Sequence, residues 1–395
     1  MNEYVDETAL GRREIWLRSL LFFLLIYLFL SAVKMFGAST EMLQSAYEAE
    51  VNTLFSGMSN PFVGLCIGIF ATALMNSSSA TTSLAVALVA SGIIPLEHAV
   101  AIVIGANIGA SITSMMVSMG NITDKKAFIR GYAVPFIQDW YSLITAGVCF
   151  ALEFSFGFLS QGARLLASFL TGCGSGGASE AAGESSWLTN PLPIMVEAPV
   201  NLVKWFLAPG ERFSLTLSAI LMGVCALCLL FFALLHMTKN MKILMANCVE
   251  EWINRVLSQN GYLGLLIGWV VTMIIQSSGI TTSLLVPLVA AGILKIRTAY
   301  PLILGAKLGT PITGILAALA FLGTPAGPNA LAIALVHFLF NVIGVGLLYP
   351  IPALRLPVFL TERFSSILGA HRAYIICWVT TIFFLIPVLG IFLFR

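Results

Sequence analysis

The 395-residue chain is 58% hydrophobic and only 10% charged, with a mean hydropathy of +0.96. A soluble core of ordinary composition cannot hide that much apolar surface, so the chain reads as an all-α integral membrane protein, since β-barrels are written as short alternating strands. Its net charge of +2 is scattered over loops and carries no nucleic-acid signal.

Leu20 to Val33 is the first strong membrane helix, short, and lengthened by Arg18 and Lys34 snorkelling at its ends. Acidic residues, Arg12 and Arg13 precede it and no cleavage-site pattern follows, so it reads as an anchor with a cytoplasmic N-terminus. An amphipathic stretch, Glu41 to Phe55, comes next. Pro61 to Met75 is then apolar for only 15 residues before Asn76-Ser77-Ser78-Ser79 interrupts it, and Ala80 to Ala90 resumes a helix that ends at Ser91-Gly92. At about 1.5 Å per residue such a stretch falls short of a bilayer core of roughly 30 Å. The polar cluster is therefore the bend of a hairpin at membrane depth, where free backbone groups are tolerated only inside protein or against a hydrated cavity. Ala99 to Met119 carries Gly105-Ala106-Asn107-Ile108-Gly109, a pattern of a broken helix or a close helix crossing, and Gly131 to Leu152 closes a first half, residues 1–152.

Residues 153–212 read as an extracytoplasmic connection, because Glu153 to Pro199 holds Arg164 as its one basic residue and Thr171 to Ser186 is rich in Gly and Ser. The second half, 213–350, repeats the plan. Leu215 to Leu235 spans, Met241 to Leu257 is amphipathic, Gly261 to Ile275 runs into Gln276-Ser277-Ser278-Gly279, and Ile280 to Ala290 ends at Ala291-Gly292. Ala299 to Ala320 carries Gly305-Ala306-Lys307-Leu308-Gly309, Leu331 to Leu348 closes the half, and 351–395 is a linker with a final span, Tyr374 to Phe394. Most of the seven cysteines, Cys225-x-x-Cys228 included, read as small packing residues of apolar helices, and Cys173 alone falls in the long loop.

The two copies stand at a constant offset of 200, and Asn76/Gln276, Ser77/Ser277, Thr81/Thr281, Thr82/Thr282 and Gly105/Gly305 all correspond. Basic clusters at Lys125, Lys126 and Arg130 and at Lys239, Lys242 and Arg255 give the copies opposite orientations. The expected architecture is two inverted-topology repeats whose helical hairpins meet at the bilayer midplane, the plan of a secondary transporter. Bends at Ser77, Ser78, Ser79, Ser277 and Ser278 offer hydroxyls and free amides at the positive end of a helix dipole, which suits an anion. Asn76, Gln276, Thr81, Thr82, Thr281, Thr282 and Asn107 add neutral oxygens of the kind an alkali cation needs. Taken singly, these small polar residues are more often packing groups; a cluster reproduced at one register is not.

These motifs resemble the type II sodium-phosphate cotransporter family. The family's Gln-Ser-Ser-Ser signature stands at Asn76 to Ser79 and Gln276 to Gly279, its Gly-x-Asn-Ile-Gly element at Gly105 and, altered, at Gly305, with further matches at Ser59-Asn60-Pro61, His337 to Asn341 and Pro352 to Pro357. The resemblance implies sodium-driven uptake of inorganic phosphate by alternating access, no enzymatic cofactor, Na+ as the coupling ion, and a plasma-membrane location, the inner membrane for a bacterial protein. Asn76, Gly279, Lys307 and the Pro135/Asp139 pair depart from the family pattern. An ionisable residue at membrane depth defaults to a functional assignment with a named partner, so Lys307 is expected to occupy a cation position, balanced by Asp139. Another small oxyanion or proton coupling fits the same residues. An intramembrane serine hydrolase using Ser278 and His337 is the alternative of another class, although no Gly-x-Ser-x-Gly elbow appears and a duplicated nucleophile has no catalytic reason.

Overall fold

The computed structural model describes residues 12–47, 60–120, 123–171, 191–210, 212–257, 261–368 and 373–394. α1 (Arg12–Ala46) is 35 residues long, well beyond the apolar core from Leu20 to Val33. Its polar C-terminal turns stay helical because Ser39 Oγ donates to Ala219 O at 2.8 Å, and Thr40 and Ser45 bond back to their own helix. Lys34 does not snorkel: its Nζ lies 3.5 Å from a Glu197 carboxylate oxygen and 5.0 Å from the Phe321 ring centroid. Of the amphipathic stretch Glu41 to Phe55, residues to Ala46 belong to α1 and those beyond Tyr47 lie outside the described residues.

Asn60 starts α2 (Pro61–Met75) by accepting from Phe62 N at 3.0 Å, with Pro61 in the first turn where no amide bond is lost. Asn76 ends it in the left-handed region at φ 52°, and α3 (Ser78–Ala90) begins at once. α4 (Leu96–Gly109) and α5 (Ile112–Met119) follow, then α6 (Lys125–Phe156), capped by Asp124. Gly157, at φ 61°, allows an 80° bend into α7 (Phe158–Leu170). With α8 (Pro191–Leu207), segment 153–212 thus holds two helices where a loop was expected, and the Gly/Ser-rich run after Thr171 lies outside the described residues.

α9 (Leu215–Leu257) carries the expected span and the amphipathic stretch Met241 to Leu257 as one uninterrupted helix. α10 (Gly261–Ile275), α11 (Ser278–Ala290), α12 (Ile296–Gly309), α13 (Ile312–Leu319) and α14 (Gly327–Leu348) then reproduce α2 to α6. α15 (Leu356–Leu368) leads to the last span, α16 (Ala373–Thr380), a π-helical turn at Thr381–Leu385 and α17 (Ile386–Leu393). Among the described residues six stretches are long and apolar enough to cross a membrane, or seven with α6 and α7 taken as one bent span, so this is a multi-pass membrane protein.

Packing comes in matched pairs. α2 lies on α4 and α10 on α12; α3 packs against α14 and α11 against α6; α7 packs on α14 and α15 on α6. Each hairpin therefore leans on the closing helix of the other half. The α2/α4 and α10/α12 crossings are glycine contacts: a Cβ on Gly68 would strike the Ile102 carbonyl and one on Gly105 the Leu65 carbonyl, and Gly268 and Gly305 face Leu302 and Leu265 in the same way. The Gly105 element is a close crossing and also the prelude to a break, which falls at Ala110-Ser111, with its counterpart at Thr310-Pro311. Among the cysteines, Cys66 and Cys149 are buried packing residues as expected, whereas Cys225, Cys228 and Cys377 are exposed on outer helix faces.

Candidate functional site

A short apolar helix that meets three serines can end and restart within one turn, because serine supplies the cap. Ser77 Oγ accepts from Ala80 N at 3.1 Å and Ser277 Oγ from Ile280 N at 3.4 Å. The first amides of α3 and α11 have no intrahelical partner, so two positive helix ends are left facing what lies between the bends. There a polar cavity is lined by Asn76, Ser77, Ser78, Ser79, Ser277 and Ser278, together with Thr72, Thr113, Gly109 and Gly279. The bends touch: Ser79 Oγ donates to Gln276 O at 3.5 Å. Asn76 is exposed and Gln276 buried, so the cavity is more open beside the first bend.

All the serines proposed for an anion thus come together, and the residues proposed for cations divide. Asn76 lines the cavity. Gln276 does not line it, and its side-chain oxygen is buried without a hydrogen-bond partner among the described residues. The four threonines form an outer layer: Thr81 and Thr281 donate to Ser77 O and Ser277 O, both at 3.1 Å, and Thr82 and Thr282 donate to Ser78 O and Ser278 O at 3.0 and 2.8 Å. Thr72 and Thr272, absent from the sequence-based set, tie this layer to α2 and α10 through Thr81 and Thr281 at 2.9 and 3.0 Å. They and Thr113, which donates to Asn76 Oδ1 at 2.8 Å, could have been found from their repetition at 272 and 313.

Asn107 and Lys307 lie apart from the cavity, in a buried polar network between the halves. Lys307 Nζ donates to the main-chain oxygen of its own counterpart, Asn107, at 3.2 Å and to Ser142 Oγ at 3.1 Å. Asn107 Oδ1 meets His337 Nε2 at 3.1 Å and accepts from Asn341 Nδ2 at 3.4 Å. His337 is buried and its ring bonds to Asn107, so among the described residues it makes no pair with Ser278 of the kind a hydrolase would need. Asp139 forms no direct ion pair with Lys307 among the described residues. Its carboxylate accepts from Ser111 Oγ and, at 3.1 Å, from Trp378 Nε1. Both side chains are 1% exposed, and each is met by neutral hydrogen-bond partners. Pro135 has a local role: it removes the amide that would bond Gly131 O in α6, and Ser118 Oγ donates to that oxygen at 3.3 Å. Ser142 and Trp378 left no repeated signal in the sequence.

Two helix N-termini that present serines to one cavity, inside a duplicated multi-pass helical protein, define the class: a membrane protein with a composite internal polar site. The profile of the Na+/Pi-cotransporter family matches residues 28–173 and 229–354, and the chain belongs to that family. Similar curated proteins include sodium-dependent phosphate transport protein 2A of Ovis aries, 28% identical over 91% of this chain and 66% of the relative. Sodium-dependent phosphate transport protein 2B of Homo sapiens is 28% identical over 92% of this chain and 63% of the relative. The chain spans about two thirds of the length of these relatives. No solved structure matches it significantly.

Proposed function

We propose that the protein is a secondary active transporter that couples sodium entry to uptake of inorganic phosphate by alternating access. The observation that carries this is the single cavity between the Ser77 and Ser277 helix ends, a site built for a tetrahedral oxyanion from hydroxyls and amides without a fixed countercharge. Family membership and the names of the relatives support the choice of phosphate and sodium. In this reading Ser77, Ser78, Ser79, Ser277 and Ser278 hold phosphate, and Asn76, Gln276, Thr81, Thr82, Thr281, Thr282 and Asn107 supply oxygens to sodium. The threonine hydroxyls are already back-bonded but retain acceptor lone pairs. Residues 1–152 and 213–350 act as inverted halves that rock about the cavity, with 153–212 on the outer side, the N-terminus cytoplasmic and the protein in the plasma membrane; the crossed packing of each hairpin on the other half's closing helix supports such a plan.

Lys307 is a tethered cation in this scheme. Its ammonium sits on Asn107 O and Ser142 Oγ, neutral oxygens that would also suit a sodium ion, and Asp139, three residues before Ser142 on α6, offsets its charge through space. Radiolabelled phosphate uptake into proteoliposomes with an imposed sodium gradient tests the main proposal, with potassium and proton gradients as controls and arsenate and sulfate as competitors. Uptake that ignores sodium overturns it. Lys307→Asn is expected to raise the sodium-to-phosphate stoichiometry; an unchanged ratio removes Lys307 from the cation scheme.

A further inference from the structure

We propose that Trp378, on the last span, is a positioning residue for the cavity: acting through the Asp139 carboxylate and Ser111, it holds the break between α4 and α5 in the shape that lines the site. The proposal rests on the cavity being the substrate site. Trp378 is outside both repeats and beyond residue 354, where the family match ends.

The chain of contacts is continuous. Trp378 Nε1 donates to Asp139 Oδ2 at 3.1 Å, and Asp139 Oδ1 accepts from Ser111 Oγ. Ser111 is the second residue of the break, and its side chain is fully buried on the side of α6. Its neighbours Ala110, Ile112 and Thr113 line the cavity. Thr113 in turn donates to Asn76 Oδ1 at 2.8 Å, so displacement at Ser111 reaches the first bend. A carboxylate with one donor on each oxygen is fixed in rotation; with one donor lost it can turn and release the other.

The second half solves the same problem differently. Pro311 stands where Ser111 stands, and its ring fixes the backbone at φ −61° with no side-chain tether. Asn341 stands where Asp139 stands, since Val134-Pro135-Phe136 aligns with Val336-His337-Phe338, and its amide bonds Asn107 Oδ1 and His337 O instead of the second break. The first break therefore needs an external tether and the second does not.

The last span is shaped to deliver that tether. Trp378 is held by Phe136, Trp140 and Phe364, with ring centroids at 6.0, 5.8 and 6.1 Å. Three residues later the π-helical turn Thr381–Leu385 shifts the register of the helix face. Within it Phe384 meets Phe70 edge-on at 6.3 Å, and beyond it Gly390 closes on Cys66, both partners on α2. One span thus grips α6 with its first half and the outer arm of the first hairpin with its second.

The test is a double-mutant cycle of Trp378→Phe, which keeps a ring and deletes the donor, with Ser111→Ala, both in the full-length protein. In sodium-driven uptake of radiolabelled phosphate, Trp378→Phe is expected to raise KM about tenfold, the loss of one hydrogen bond to a charged group, with a smaller change in maximal rate. In the Ser111→Ala background it is expected to add little. Amide exchange across residues 109–115, followed by mass spectrometry without phosphate, is expected to quicken in each single variant and no further in the double. Unchanged exchange in Trp378→Phe, or effects of the two substitutions that simply multiply, overturns the proposal. If the wild type takes up no phosphate the transport reading fails, and the exchange arm alone still decides whether Trp378 positions the break.

Discussion

The two hairpins have nearly the same backbone and different surroundings. Their bends sit at φ 52° and 59°, at Asn76 and Gln276, and the following serines share an extended conformation at φ −154° and −149°. Left-handed backbone is tolerated by asparagine better than by most residues, so Gln276 is held there by context more than by preference. The outer arm of the first hairpin, α2, packs against α17, whereas α10 packs against α9. At the cavity Ser79 corresponds to Gly279, and at the breaks Ser111 corresponds to Pro311. Positions kept in both copies carry the frame, namely glycines at helix crossings, capping serines and back-bonded threonines. Positions that differ distinguish the two ends of one site.

The largest effect is expected where the frame itself is duplicated. Gly105→Ala and Gly305→Ala each drive a methyl into a main-chain carbonyl of the facing helix, which cannot yield as a side chain can. Strain at or above the usual overpacking range of about 1–3 kcal/mol should prevent recovery of a monodisperse protein by size-exclusion chromatography in detergent. Gly346→Ala meets nothing within 4 Å and serves as the tolerated control. Folding of Gly305→Ala but not of Gly105→Ala would break the equivalence of the two crossings.

Next come the caps. Ser77→Ala and Ser277→Ala each remove one helix cap, worth about 1 kcal/mol, and one hydroxyl from the cavity. Both should lower the thermal midpoint by similar amounts and raise the phosphate KM. A KM ratio between the two variants far from one would assign the anion mainly to one helix end, and so sharpen the comparison.

A smaller effect is expected at Gly279. A Cβ there lies 3.0 Å from Thr113 Oγ1, so Gly279→Ser should push Thr113 off Asn76 while improving local helix propensity. The net cost is expected to stay below about 1 kcal/mol in thermal unfolding, and Thr113→Ala in the same chain should relieve it. A Gly279→Ser variant insensitive to Thr113→Ala would mean that the two bends adjust independently.

How much of this was legible in the sequence depends on whether the determinant was local. Pro61 to Met75 and Gly261 to Ile275 match the expected apolar runs, because each run is cut by a serine-capped polar bend and the first also starts at Asn60-Pro61. The serine cavity was legible because it was written twice. Partners that lie far apart in the chain were not: Lys307 finds Ser142 across 165 positions and Asp139 finds Trp378 across 239, with no periodicity to announce either. Hydropathy also set the wrong ends for α1 and α9, since it registers the apolar middle and is blind to helix that continues once tertiary partners satisfy its polar turns. The same blindness made a loop of the segment that holds α7 and α8.

The smallest effect concerns two surface ion pairs, which again form a matched set with a difference. Glu97 and Arg297 stand 200 positions apart at the starts of α4 and α12; Glu97 pairs with Arg164 on α7, and Arg297 with Glu362 on α15, at 2.8 and 2.9 Å. The geometry is shared and the polarity is reversed. The Arg297 hydrogen bond holds the Glu362 carboxyl below its usual range, with partial burial acting the other way. A depressed folded-state pKa means that the unfolded chain binds the proton first, so the stabilisation is present above the unfolded value of about 4.3 and is lost as pH falls through the folded value. Arg297 is so exposed that solvent and salt screen most of the attraction. Glu362→Gln is therefore expected to lower the thermal midpoint slightly near neutral pH in low salt, and to match the wild type in acid or in high salt. A deficit that persists in acid would show that Glu362 acts by packing α15 against α12, and the two ion pairs would then be alike in placement only.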